Sequence, residues 1–163
     1  MKEYHPIEDI DSVISILSEI PVWEGLSSKE QQKVYRLLEV GTFRKGEYVF
    51  QKGDQPTHVY IVKSGQIDIF NVGQDVTVEK ETVRAGGCFG VAPLMSMQTH
   101  MVTAIAAEES EIMVLSRRAL LELRYEDIDL FAALMMNIAK DIARRLKLTD
   151  DILLEYAREH KDA

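Results

Sequence analysis

Residues 39–73 read EVGTFRKGEYVFQKGDQPTHVYIVKSGQIDIFNVG, and this stretch decides the fold. Short runs rich in Val, Ile, Thr, Phe and Tyr alternate with isolated glycines, and the pattern continues to Ser116. Such runs predict many short antiparallel strands joined by tight turns. We therefore expect a β-sandwich or barrel over residues 39–116, with glycines separating its strands: Gly41, Gly46, Gly53, Gly65, Gly73, Gly86 and Gly87.

One pair of strands in this zone can be predicted in more detail. Residues 58–70, HVYIVKSGQIDIF, contain two apolar runs separated by Lys63–Ser64–Gly65. A tight turn with glycine between two β-rich runs is typical of a hairpin. We therefore expect these two strands to pair with each other.

Helical periodicity flanks the β-rich zone on both sides. Apolar residues recur at helical spacing over residues 8–38, and Ser27 followed by Glu30 predicts a capping box at a helix start. Ser116 is the predicted N-cap of the C-terminal part, which contains no glycine or proline. The pattern over residues 117–160 predicts one short helix followed by a long one. The long helix carries an apolar stripe: Phe131, Met135, Ile138 and Ile142.

Composition limits the classes of protein that need to be considered. The 163 residues suit one domain, and the 46% hydrophobic content is sufficient for a core. The formal net charge of −8 argues against direct binding of nucleic acid. The single cysteine, Cys88, excludes an internal disulfide, and no Cys/His cluster indicates a metal site. The first twenty residues lack a continuous apolar segment, so we expect a cytoplasmic protein without a membrane segment.

Several ordered motifs resemble a known family. They are PVWEGLS at Pro21–Ser27, RKGEYVFQKGD at Arg44–Asp54, VYIVKSG at Val59–Gly65, and Gly90 with Leu94. Over nearly the whole chain this order resembles the cyclic nucleotide-binding domains of catabolite-activator-type regulators, protein kinase regulatory subunits and gated channels. The resemblance implies an α+β, mainly β fold: an eight-stranded antiparallel jelly-roll-like β-roll flanked by N-terminal helices and a long C-terminal helix, which often forms a dimer.

The segment Gly87–Ala107 resembles the family's phosphate-binding cassette but lacks its two charged side chains. In the family, Phe-Gly is followed by a glutamate and, after a short loop, by an arginine. Here Phe89–Gly90 is followed by Val91, and His100 stands at the arginine position. Valine cannot accept the ribose hydrogen bond, and a neutral imidazole lacks the charged, bidentate fork of arginine. The ligand-binding positions that the resemblance implies are Phe89, Gly90, Val91, Ala92, Leu94, His100, Met101 and Thr103.

The two replacements predict weak or absent binding of cyclic AMP and cyclic GMP. A hydrogen bond to a charged group contributes roughly 1.5–3 kcal/mol, so losing both lowers affinity by roughly two to four powers of ten. No cofactor is predicted with certainty.

Each conspicuous side chain also has an ordinary interpretation. His100 is expected to be an exposed loop residue, with contact to an anion, or ligation of a haem or a metal, as the alternatives. Cys88 is expected to be a small buried apolar residue. We expect the methionines to fill the mouth of the barrel, with the lining of an apolar effector pocket as the alternative. The Arg144–Arg145 pair is expected to lie on a solvated helical face. The methionines concerned are Met95, Met97 and Met101.

No catalytic motif is present, so we do not expect an enzyme. The histidines are too dispersed for the metal site of a cupin: His5, His58, His100 and His160. The sequence favours a stand-alone, non-catalytic sensor module that signals through its long helix, with another small effector as its ligand. Alternatives are a ligand-independent dimerisation or partner-docking scaffold, and a cyclic nucleotide binder.

The long helix outruns the predicted roll, so its stripe Phe131–Ile142 is predicted to form a homodimer. The alternative is that the helix folds back and covers its own core. Because the chain ends at Ala163, soon after this helix, no DNA-binding domain is expected, and any effect on transcription would pass through a protein partner.

Overall fold

A computed structural model describes residues 2–9, 13–14, 16 and 20–159 of the chain. Within these residues, strands form two antiparallel sheets, and helices lie before and after them. The strands are β1 (His5–Pro6), β2 (Leu38–Phe43), β3 (Tyr48–Phe50), β4 (His58–Ser64), β5 (Gln66–Val72), β6 (Thr77–Arg84), β7 (Cys88–Phe89), β8 (Val102–Ala106) and β9 (Ser110–Ser116).

The two sheets have the strand orders β1-β2-β9-β4-β7 and β3-β8-β5-β6. Eight of these strands, β2 to β9, fall between Leu38 and Ser116, so the predicted eight-stranded roll is confirmed. β1 was not predicted; it adds two residues to the edge of β2, with His5 opposite Val40. A cluster of buried apolar side chains fills the space between the sheets: Phe43, Phe50, Val62, Ile67, Ile69, Phe89, Ile112 and Val114 are among them.

The predicted hairpin of β4 with β5 is wrong. β4 pairs with β7 and β9, whereas β5 pairs with β6 and β8, so the chain changes sheets at Gly65. Gly65 has a φ of +86°, and a Cβ there would lie 2.3 Å from the Ser110 hydroxyl and 2.6 Å from the Glu109 carbonyl oxygen. A glycine is therefore needed here because the chain passes close to Glu109 and Ser110 where it crosses between the sheets. In the sequence, a glycine with this role looks the same as a glycine in a hairpin turn.

The helices begin where the sequence predicts. After a short 3-10 helix (Pro21–Trp23) comes α1 (Ser28–Tyr35), with the predicted capping box of Ser27 and Glu30. α2 (Val91–Ser96) lies within the roll, and α3 (Arg117–Glu126) begins after Ser116, whose hydroxyl accepts from the Ala119 backbone N–H. α4 (Ile128–Glu159) has 32 residues. Of the helical pattern predicted before Pro21, residues 10–12, 15 and 17–19 lie outside the described residues, and Val13, Ile14 and Ile16 are helical.

A second cluster of apolar side chains joins the helices to the outside of the roll. It brings Val34 of α1, Leu120 and Leu123 of α3, and Leu130 and Leu134 of α4 against Val59, Ile61, Met113 and Leu115 of the sheet. Asn137 of α4 is buried in this region, and its side-chain amide donates to the carbonyls of Val22 (3.1 Å) and Glu24 (2.8 Å). These two bonds fix α4 to the 3-10 helix.

The stripe predicted to form a dimer is covered by its own chain. Ile138 is 2% exposed inside the second cluster, and Phe131, Met135 and Ile142 are half-buried against it. The alternative, that the helix folds back on its own core, therefore describes this face. The apolar stripe did not decide between these two alternatives, because helical periodicity does not say whether the cover comes from the same chain or from another.

Candidate functional site

A cavity of about 360 Å³ opens between the roll and α4. Its walls come from the segment between β7 and β8, from Lys80 and Glu81 of β6, and from α4 between Asp141 and Thr149. This volume lies within the range of small-molecule sites. Because α4 forms one wall, a molecule in the cavity would touch the roll and the long helix together.

The backbone at the entrance to α2 is tightly held by its neighbours. Gly90 has a φ of +76°, and a Cβ on it would lie 2.7 Å from the ring of Tyr60. A side chain at this position would therefore combine backbone strain with a steric clash. Gly90 thus allows the chain to turn from β7 directly into α2, which forms one wall of the cavity.

Six of the eight ligand-binding positions that the sequence implied line the cavity: Phe89, Gly90, Val91, Ala92, His100 and Met101. The other two lie elsewhere. Leu94 is buried in the cluster between the helices and the roll, and the Thr103 hydroxyl accepts from the Lys52 backbone N–H at 3.1 Å. Val91 is only 4% exposed and belongs to the same cluster as Leu94, so its side chain contributes packing and no hydrogen-bonding atom to the site.

His100 is buried, which corrects the expectation of an exposed loop residue. Its ring stacks on Phe50, with centroids 3.6 Å apart and an interplanar angle of 12°. Its backbone is fixed as well, since its N–H donates to Asp54 and its carbonyl accepts from Gly53. Both ring nitrogens are buried without a hydrogen-bond partner among the described residues. The burial of His100 could not be predicted from the loop sequence, because it depends on Phe50, fifty residues earlier in the chain.

Arg145 lines this cavity, a position that the sequence pattern did not predict. Its Nε donates to Asp141 Oδ2 at 2.9 Å, its Nη1 to Glu81 Oε1 at 3.2 Å, and its Nη2 to the Cys88 carbonyl. The pair expected on a solvated face is therefore split, because Arg145 bridges α4 to β6 and β7 while Arg144 is exposed. The spacing of Asp141 and Arg145, four residues apart on one helix, was the available signal.

The sulfur-containing residues near the cassette divide into buried and exposed ones. Cys88 is buried, as predicted, and this burial raises the pKa of its thiol to about 12. Met95, Met97 and Met101 are 40%, 65% and 66% exposed, so the expectation that they fill the mouth of the barrel is wrong. Of the three, Met101 lines the cavity.

The described residues hold neither a metal-binding cluster nor a membrane-spanning helix. Among residues 2–9, 13–14, 16 and 20–159, no group of three or more His, Cys, Asp or Glu side chains is placed to hold a metal ion. Within the same part of the chain, every helix is too short or too polar to cross a membrane.

Acid is expected to destabilise the fold through His100. Burial lowers the pKa of His100, with Asp54 opposing, and burial also lowers the pKa of His58, with Glu39 opposing. An unfolded chain takes up these protons near pH 6.5, at a higher pH than the folded chain does. The contribution of these two histidines to the free energy of unfolding is therefore fully present above about pH 6.5 and falls as the pH drops below that value.

Urea unfolding of the parent and of His100→Phe between pH 8 and pH 5 tests this expectation. Phenylalanine retains the stacking on Phe50 and cannot titrate. The variant should lose less unfolding free energy than the parent across this range, and parallel pH profiles would contradict the assignment.

Comparison with known proteins identifies the family of this roll and cavity. Residues 40–127 match the family described as the cyclic nucleotide-binding domain, and the chain belongs to that family. The cAMP-dependent protein kinase regulatory subunit of Eremothecium gossypii is 28% identical over 91% of this chain and 33% of its own length. The cyclic AMP receptor protein of Thermus thermophilus is 27% identical over 80% of this chain and 59% of its own length. The chain thus spans less than two thirds of these relatives.

Solved structures show the same fold. A cyclic nucleotide-binding domain from Methylobacillus flagellatus superposes with a TM-score of 0.79 at 16% identity, over 90% of this chain and 83% of that one. The catabolite activator protein of Thermus thermophilus gives 0.74 at 25% identity, over 84% and 63%. A mutant regulatory subunit of a cAMP-independent protein kinase A from Trypanosoma brucei, bound to cAMP, gives 0.67 at 18% identity, over 83% and 46%.

Proposed function

We propose that this chain is a non-catalytic regulatory module whose cavity receives a small effector other than cyclic AMP or cyclic GMP, and whose α4 passes the signal on. The observation that carries the proposal is the pair Val91 and His100 at the positions where the family resemblance implies the ribose and phosphate contacts. Val91 is buried without a polar side-chain atom, and His100 is stacked on Phe50 instead of extended as a charged fork.

Family membership does not decide the ligand. The two relatives are named for a cAMP-dependent kinase and for cyclic AMP reception. The fold is also shared with a regulatory subunit of a cAMP-independent kinase, whose solved structure is a mutant with cAMP bound. A fold and the ligand chemistry of its site vary separately. The ligand is therefore better inferred from the side chains at the cavity. Here Val91 and His100 do not provide the ribose and phosphate contacts that the family resemblance implies.

Helix α4 suits the role of output because it belongs to both the cavity and the surface. Its residues from Asp141 to Thr149 form one wall, so an occupant would contact them directly. A neighbouring face of the helix, which shares Leu146 with the cavity wall, is exposed over its whole length, and its residues are spaced alternately by four and three. We name this face the α4 seam: Ala132, Met136, Ala139, Ala143, Leu146, Leu153 and Ala157.

A homodimer through the α4 seam is part of the proposal. The seven seam residues follow the spacing of a two-helix coiled coil, with Asp150 as the one charged residue in the register. Met136, Leu146 and Leu153 are each 60% exposed or more in the single chain. The dimer interface thus lies beside the stripe Phe131–Ile142, on the neighbouring face of the helix. The seam also supports the second candidate function, a dimerisation or partner-docking scaffold that needs no ligand.

Calorimetric titration of the purified chain with cyclic AMP and cyclic GMP tests the proposed function. We expect no saturable binding at micromolar nucleotide, because the loss of two charged or polar contacts lowers affinity by roughly two to four powers of ten. The cAMP-dependent protein kinase regulatory subunit of Eremothecium gossypii serves as the positive control for the titration. A micromolar, saturable isotherm with this chain would contradict the proposal.

A further inference from the structure

We infer that the cavity between α2 and α4 takes an uncharged small molecule with a largely apolar body and one hydrogen-bonding group. This inference rests on the proposed function, because it names the chemistry of the effector for the same cavity. It is carried by the cavity wall, by the pairing of the charged groups around it, and by His100.

The wall of the cavity is mostly apolar in area, and its lining also includes the uncharged polar residues Ser96, Gln98, Thr99 and Thr149. Side chains from both sides contribute to it: Phe50, Ile69, Phe89 and Val102 from the roll, and Ile142 and Leu146 from α4. An apolar body placed here would remove both its own surface and these side chains from water.

Four charged side chains reach the cavity, and their formal charges sum to zero: Lys80, Glu81, Asp141 and Arg145. Arg145 already donates to Glu81 and Asp141. A phosphate or carboxylate entering the cavity would compete with two carboxylates for this guanidinium and would lose its own hydration. Lys80 is exposed, so its ammonium remains in water. The cavity therefore offers no uncompensated positive charge below its rim.

His100 supplies the polar contact. It forms part of the cavity wall, is 1% exposed, and has both ring nitrogens buried without a partner among the described residues. Burial lowers its pKa, so the ring is uncharged at neutral pH and presents one donor and one acceptor. Buried polar atoms are normally hydrogen-bonded. A hydroxyl, amine or amide of the effector would satisfy one of these nitrogens.

A matched pair of fluorescent probes tests the inference. N-phenyl-1-naphthylamine and 8-anilinonaphthalene-1-sulfonate share one aromatic body and an N–H group, and only the second carries a sulfonate charge. Fluorescence titration of the whole chain should give saturable binding of the uncharged probe, at least about tenfold tighter than that of the sulfonate, because a buried charge without a partner is costly.

Two variants locate the binding and two examine the charge. Ala92→Trp adds bulk at the cavity from an exposed position and should abolish binding, whereas Ala85→Trp adds the same bulk at an exposed position outside it. Glu81→Gln removes one of the two carboxylates that occupy Arg145 and should narrow the difference between the probes. Glu79→Gln, on the same strand and away from the cavity, should leave that difference unchanged.

The outcomes separate the inference from the proposed function. Equal or tighter binding of the sulfonate, binding that Ala92→Trp does not reduce, or no binding of either probe would each overturn the inference. A difference between the probes that Glu81→Gln leaves unchanged would overturn it as well, because the pairing of Arg145 would not set the selectivity. None of these results bears on the proposed function, which fails separately if cyclic AMP or cyclic GMP binds at micromolar concentration.

Discussion

Cyclic AMP affinity is expected to rise by roughly two to four powers of ten when Val91→Glu and His100→Arg are combined. The glutamate would supply an acceptor for a ribose hydroxyl, and the arginine would supply a permanent, bidentate charge for the phosphate. His100→Arg alone should give about half of this gain in logarithmic terms, since each contact to a charged group contributes a similar amount.

Both substituted positions are buried in the parent chain. Val91 is 4% exposed and packs in the cluster between roll and helices, so a carboxylate there costs stability until a ligand binds it. Thermal unfolding with and without nucleotide therefore accompanies the calorimetry, and the double variant should be stabilised by cyclic AMP. Met95→Arg is the matched control, because it adds the same charge at an exposed position of α2 outside the cavity lining and should gain nothing. A folded double variant that binds no tighter than the parent would refute the assignment of both positions.

Two neighbouring residues of α4 are expected to respond in opposite ways to the same substitution. Ile138→Asp places an unpaired carboxylate in the core and removes apolar contacts, so it should lower the unfolding free energy by about 4 kcal/mol or more. Ala139→Asp lies on the exposed α4 seam and should cost less than about 1 kcal/mol within one chain. In a symmetric dimer it would place two like charges together, so it should convert the dimer to a monomer.

Light scattering and urea unfolding on the parent and both variants distinguish the two effects. The parent should have the mass of two chains, Ala139→Asp should be folded with the mass of one, and Ile138→Asp should be largely unfolded. Lys140→Asp, at an exposed position outside the seam, serves as a control that changes charge on the same turn. A parent with the mass of one chain would refute the dimer, and a stable, folded Ile138→Asp would refute the packing of α4 on the roll.

Local signals in the sequence were sufficient for most of the fold. Glycines between short β-rich runs predicted the roll, and the capping box at Ser27 and the N-cap at Ser116 placed two helix starts correctly. These features depend on residues close together in the chain, where side-chain chemistry acts directly on the backbone. The motifs of the family resemblance added the topology class.

The features that the sequence reasoning missed depend on residues far apart in the chain. The environment of Gly65 is set by Ser110, the burial of His100 by Phe50, and the role of Arg145 by Glu81 and the Cys88 carbonyl. Periodicity identified α4 as amphipathic but could not decide between cover from its own roll and cover from a second chain. The sequence therefore predicted the part of the cavity formed by residues 87–107, but it did not predict the wall formed by α4.

The anchoring of α4 is unequal along its length, and this makes the helix a lever. Asn137 and the contacts of Arg145 hold its first half to the domain, whereas residues 146–159 are exposed. At 1.5 Å per residue these fourteen residues extend about 21 Å beyond the last anchor. A tilt of about 10° at Arg145 would thus displace the far end of the helix by roughly 4 Å. A small rearrangement beside the cavity would therefore move the exposed end of α4 by a distance comparable to the length of a side chain. That end is where another molecule could contact the helix.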